Sequence, residues 1–214
     1  MLKIIHPRYA VKVMDKFIPD ELLDEFVKEI DYYQQRESVP DSKFFSMKSS
    51  PLMYKLLSLG QSFVSRFNVR IMAVEYVIWR ARNPIFMPHV DMTTTTLDST
   101  VDSDQTLVPI DMRLNVPVFS TGSILDWFEV NENSNWREHV RMGLDGNHDV
   151  LQITEDSVPD YSISADDTVF VNPSIPHRIN MRQTDQDRLT LSFKIKNKFK
   201  FEDFVKQIPE QYLK

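Results

Sequence analysis

The chain has 214 residues, 42% hydrophobic and 26% charged, the composition of an ordinary globular domain able to bury a core without covalent staples. Cysteine is absent, which removes disulfide scaffolds, thiolate zinc sites, iron–sulfur clusters and cysteine nucleophiles together. The formal charge of -6 and a pI near 5.4 argue against a broad nucleic-acid surface, and no apolar run reaches the roughly 18 residues of a membrane span.

Four glycines (Gly60, Gly122, Gly143 and Gly146) fall in no phosphate-cradling or nucleophile-elbow pattern. The opening residues lack the apolar stretch and small-residue cleavage site of a signal peptide, so the cytoplasm is the expected compartment.

Tyr9 to Ile18 reads as a strand, and Pro19-Asp20-Glu21 opens a helix with proline and acidic residues at its positive end. Leu22, Leu23, Phe26, Val27, Ile30 and Tyr33 recur at helical spacing. A second helix starts at Ser50-Pro51, with Leu52, Leu56, Leu59, Phe63 and Phe67 on one stripe. Both read as buttresses laid against a sheet.

From Val69 the period changes to two. Val69–Arg80 is a long run rich in Val, Ile and Tyr, and Met112, Leu114, Val116 and Val118 alternate with Asp111, Arg113, Asn115 and Pro117. Further strands are expected at Ile124–Val130, Val150–Ile153, Thr168–Asn172, Arg178–Met181 and Arg188–Ile195, and a short closing helix at Phe201–Ile208. Helices first and many strands after predict an α+β fold with an antiparallel sandwich or barrel. The organisation expected is one domain over 1–214. It comprises a helical buttress over 1–68, a β core over 69–195 and a closing segment over 196–214. Residues 131–167 are polar, and read as an irregular insertion, a lid or substrate loop, with Val150–Ile153 the segment that could tie it to the core.

The chemistry lies in His89-Val90-Asp91, the only histidine in the chain with a carboxylate at i+2. In a strand those positions share a face, so both side chains can converge on one ion if the strand ends there. His177 follows the turn Asn172-Pro173-Ser174-Ile175-Pro176, and Arg188 lies 11 positions further on, sharing a face with Thr190 and Ser192. Two histidines and one carboxylate are the ligand set of a non-haem Fe(II) site with open positions. An arginine with a neighbouring hydroxyl suits a carboxylate held away from water.

A histidine–x–aspartate, a distant histidine and then Arg-x-Thr resembles the Fe(II)/2-oxoglutarate-dependent oxygenases. That resemblance implies a double-stranded β-helix (a jelly-roll, cupin-like barrel) flanked by N-terminal helices. It implies iron on His89, Asp91 and His177, and the distal carboxylate of 2-oxoglutarate on Arg188 and Thr190. It further implies decarboxylation to succinate and CO2, with O2 consumed and an aliphatic C–H bond hydroxylated. The substrate would be an amino acid, a peptidyl side chain or a related small molecule. The strand around Arg113 resembles that of aspartyl/asparaginyl hydroxylases, where the arginine contacts the cosubstrate; here Asn115 replaces their histidine. The N-terminal strand and helix look more like the prolyl-hydroxylase relatives. Two other readings stay open: a non-catalytic β-sandwich binding module, and a cupin-like iron enzyme that does not use 2-oxoglutarate. Trp127 and Phe128 read as core, His139 and His148 as surface, and the threonines after Asp91 as a polar rim.

Overall fold

A computed structural model describes residues 1–36, 42–46, 50–79, 88–95, 106–109, 112–119, 121–130, 135–141, 147–152, 157–182, 184–196 and 200–214. The first strands are β1 (Leu2–His6), β2 (Ala10–Val13), β3 (Ser42–Ser46), β4 (Arg70–Trp79) and β5 (His89–Val90). Next come β6 (Met92–Thr95), β7 (Thr106–Pro109), β8 (Arg113–Pro117), β9 (Ile124–Trp127) and β10 (Asn135–Arg141). Last are β11 (Asn147–Gln152), β12 (Tyr161–Ser164), β13 (Val169–Val171), β14 (His177–Asn180) and β15 (Arg188–Lys196). The helices are α1 (Asp20–Arg36), α2 (Pro51–Val64) and α3 (Phe201–Gln207).

Two antiparallel sheets dominate. The larger runs β1-β2-β13-β8-β15-β4-β3 and the smaller β10-β11-β5-β14-β9-β12, with β6 and β7 paired apart. Val77, Val169 and Val171 of the larger sheet meet Leu125, Trp127 and Ile179 of the smaller in one apolar cluster, so the sheets face each other. The opposite face of the larger sheet carries the helices. There Leu114, Val116, Leu191 and Phe193 pack with Phe26 of α1, Leu56 and Phe63 of α2, and Phe204 of α3. Each such side chain, fully buried, contributes about 1.5–3 kcal/mol.

Local sequence sets these helices in place. Ser50 caps α2 by accepting from Leu52 N at 3.2 Å, and Pro51 occupies the first turn, where its missing N–H costs nothing. Gly60 is there for proximity: a Cβ would come within 2.6 Å of Phe193 Cε1 on β15, so α2 lies closer to the sheet than any side chain would permit.

Two expectations change. The stretch 1–68 is more than a buttress, because β1, β2 and β3 all join the larger sheet; the strand expected over Tyr9–Ile18 ends at Val13. Within 131–167 the described residues are not irregular either. Asn135–Arg141 pairs with Asn147–Gln152, and Val150 pairs with His89, so the hairpin extends the smaller sheet. Its outer strand, β10, lies at the edge of the sheet, and the polar sequence of that segment hides its strand pattern. No helix among the described residues is long and apolar enough to cross a membrane.

Candidate metal centre

His89 and His177 lie directly opposite each other on β5 and β14, with ring centroids 4.8 Å apart. Asp91 sits just past the two-residue β5, and its backbone N–H donates to Pro173 O at 3.0 Å. The turn before His177 thus positions Asp91 as well as His177. Asn172 holds that turn: its Oδ1 accepts from Ser174 N at 3.2 Å and Ser174 Oγ at 2.5 Å, while its Nδ2 donates to Arg8 O at 2.9 Å. Trp127, wholly buried beside it, donates its Nε1–H to Asn172 O at 3.2 Å. One ligand-type atom from each of His89, Asp91 and His177 lies within 4.8 Å of the other two, and all three residues are buried.

Protonation suits a divalent ion. The His177 Nδ1 contacts Ile175 O at 3.0 Å, and a carbonyl only accepts, so Nδ1 carries the proton and Nε2 keeps its lone pair. Burial, reinforced by His89, lowers the His177 pKa to about 4, leaving a neutral imidazole at pH 7. Burial works against the charge of Asp91 too, but Arg113 and the two histidines outweigh it and hold the carboxyl well below its usual range. Its Oδ1 lies 3.4 Å from His89 Nε2 and has no hydrogen-bond partner. A buried carboxylate oxygen between two imidazoles, unsatisfied, is what a cation would complete.

Across the same pocket the larger sheet presents Arg188, Thr190 and Ser192, with Val77, Leu125 and Ile179 as apolar walls. Arg188 is 3% exposed; its Nη2 donates to Ala165 O at 3.2 Å, while its Nε is buried without a partner. The Thr190 hydroxyl is equally unsatisfied. Burial lowers the Arg188 pKa to about 10, with Asp166 opposing the fall, so the group remains a cation at neutral pH. Among the described residues no carboxylate forms an ion pair with it. A buried cation left this way costs several kcal/mol unless an anion joins it.

Arg113 also lines the pocket, but its charge is matched. It ion-pairs through Nε with Asp91 Oδ2, and Nη1 donates to Glu75 Oε2 at 3.1 Å and Ser192 Oγ at 3.2 Å. It is therefore neither an outward surface residue nor an unmatched cation like Arg188. Glu75 escaped the reading of the sequence, although a lone carboxylate within Val-Glu-Tyr-Val-Ile-Trp was a visible signal. Trp127 and Phe128 are core, as expected. The side chains of His139, His148 and Thr93–Thr96 lie outside the described residues, though Thr93–Thr95 pair with β7.

No protein-family model and no curated protein sequence matches the chain. In fold the chain does resemble solved structures. HygX from Streptomyces hygroscopicus, crystallised with nickel and 2-oxoglutarate bound, aligns with a TM-score of 0.51. Identity is 12%, over 89% of this chain and 83% of that one. SnoN, a non-haem alpha-ketoglutarate-dependent epimerase from nogalamycin biosynthesis, aligns at 0.44 and 10% identity over 88% and 77%. A Pseudomonas putida prolyl-4-hydroxylase aligns at 0.40 and 12% identity over 86% and 90%. At 12% identity the likeness to HygX is one of fold.

Proposed function

We propose that the chain is an Fe(II)- and 2-oxoglutarate-dependent oxygenase, a single domain whose facing sheets form a double-stranded β-helix. The reaction is hydroxylation of an aliphatic C–H in an amino acid, a peptidyl side chain or a related small molecule. One observation carries this reading: the buried Arg188, in no ion pair with a carboxylate among the described residues, and the unsatisfied Thr190 hydroxyl, facing the His89–Asp91–His177 cluster across a single pocket. A metal site alone would not require that cation.

His89, Asp91 and His177 would hold the iron from one side, with the tautomer and charge their surroundings already impose. When bound, iron and 2-oxoglutarate would supply O2 activation coupled to decarboxylation of the cosubstrate to succinate and CO2. Arg188 and Thr190 receive the distal carboxylate through a forked donor and a hydroxyl, which fixes the cosubstrate before reaction and removes orientational freedom. Val77, Leu125 and Ile179 keep the pocket apolar between these polar ends and limit water beside the metal.

Anaerobic addition of Fe(II) and then 2-oxoglutarate tests the reading. The weak visible charge-transfer band of the chelate should appear with the wild-type protein and be absent in His177→Ala. Admission of air with substrate should release succinate. A non-catalytic binding module predicts no band, and a cupin-like enzyme predicts iron binding without succinate.

A further inference from the structure

The polar layer beneath the metal site contains more charge than the ligands need. Glu75, 5% exposed on β4, lies opposite Ser192 of β15, which lies opposite Asn115 of β8. Arg113 of β8 lies opposite Lys194. These residues therefore share the pocket-side face of the larger sheet, one strand to the next. Both Glu75 oxygens are engaged: Oε2 accepts from Arg113 Nη1 at 3.1 Å, and Oε1 pairs with Lys194 Nζ at 2.5 Å. Ser192 Oγ accepts from Arg113 and donates to Asn115 Oδ1 at 2.7 Å. Glu75, Lys194, Arg113 and Asp91 together balance two negative charges with two positive ones.

The arrangement has a direction. Arg113 is planar and forked, so holding Nη1 against Glu75 and Ser192 also fixes where Nε points. Nε meets only one Asp91 oxygen, Oδ2, and Oδ1 is left beside His89 Nε2, facing the other ligands. Without Glu75 the guanidinium loses the charged anchor on Nη1, and the bidentate geometry that arginine and carboxylate favour draws it toward both Asp91 oxygens. It would then compete with the metal for Oδ1.

We infer that Glu75 is a positioning residue that acts through Arg113 to reserve one oxygen of Asp91 for the metal. The inference rests on the metal-site reading above, and it assigns Arg113 to the ligand rather than to the cosubstrate. Outer partners of metal ligands typically change affinity by about 10–100-fold when removed.

Co(II) alone is the probe, titrated by calorimetry with its visible absorption recorded. Wild type should bind one equivalent, and Glu75→Gln should weaken binding about tenfold and alter the Co(II) absorption, with the melting temperature recorded alongside. Should Glu75→Gln fail to fold, Glu75→Asp retains the charge but falls a methylene short of Arg113, and should weaken Co(II) in the same direction. The decisive arm is a double-mutant cycle. In an Arg113→Met background, Glu75→Gln should have no further effect on Co(II) affinity, because the group through which it acts is gone. An equal loss in both backgrounds makes Glu75 merely structural and overturns the inference. Unchanged affinity in the single variant overturns it while leaving the metal site intact. Failure of the wild type itself to bind Co(II) would overturn the metal-site reading, and this inference with it.

Discussion

The two faces of the larger sheet differ in almost every property, although they are built from the same strands. On β15, Leu189, Leu191, Phe193 and Ile195 enter the core under the helices, while Arg188, Thr190 and Ser192 face the pocket. On β8, Leu114 and Val116 go one way, Arg113 and Asn115 the other. One face is close-packed; the other is buried yet holds charges, and there Arg188 Nε and the Thr190 hydroxyl lack partners. The apolar face holds the domain together, whereas the polar face leaves a buried cation and a hydroxyl unmatched.

That contrast gives the largest expected effect to the apolar side. Phe193→Ala, at a site 0% exposed, should cost about 3–5 kcal/mol in urea unfolding, with metal binding lost only as the fold is lost. Arg188→Met should behave the opposite way. The ligand-free protein should melt at the same temperature or higher, since an unpaired buried cation is replaced by an apolar chain. Calorimetry with 2-oxoglutarate on the metal-loaded protein should nevertheless show roughly 100-fold weaker binding, the scale of truncating one member of a buried charge pair. If melting and binding fall together, the two faces are not separable and the contrast fails.

Much of this was legible in the chain because the strand period is two and the chemistry obeys it. His89 and Asp91 at i and i+2, and Arg188 with Thr190 and Ser192, declare a face without any knowledge of the fold. Glu75 and Lys194 were not legible as partners of the site. Their role arises from register between β4, β15 and β8, strands far apart in sequence, and no local pattern records a register. The hairpin of β10 and β11 was hidden for another reason. Its edge strand is polar in sequence, so it resembles a loop, while its inner strand pairs with the two-residue β5 that carries His89.

Smaller effects sharpen the contrast at its margins. Gly60→Ala gains helix propensity of about 1 kcal/mol but drives a Cβ to 2.6 Å from Phe193 Cε1. Overpacking of about 1–3 kcal/mol should win, and thermal melting should register a net loss. Acid should act from the pocket side. His177 has a pKa of about 4 in the fold against 6.5 when unfolded, so protons favour the unfolded chain. Stability of the metal-free protein is full above pH 6.5 and should decline toward pH 4, by about 1 kcal/mol at pH 5.5. Asp91, held below its ordinary value, adds a loss in the same direction only under about pH 4. Urea midpoints of wild type and His177→Phe across that range should differ in slope; parallel slopes would assign the acid loss to other groups.

The most direct measurement is a crystal structure of the protein with Mn(II) and N-oxalylglycine, an unreactive analogue of 2-oxoglutarate. Mn(II) is expected on His89 Nε2, one oxygen of Asp91 and His177 Nε2, at about 2.0–2.2 Å. The analogue's distal carboxylate is expected on the Arg188 guanidinium and the Thr190 hydroxyl. A metal held elsewhere, or a distal carboxylate resting on Arg113 with Arg188 still unpaired, would contradict the proposed function.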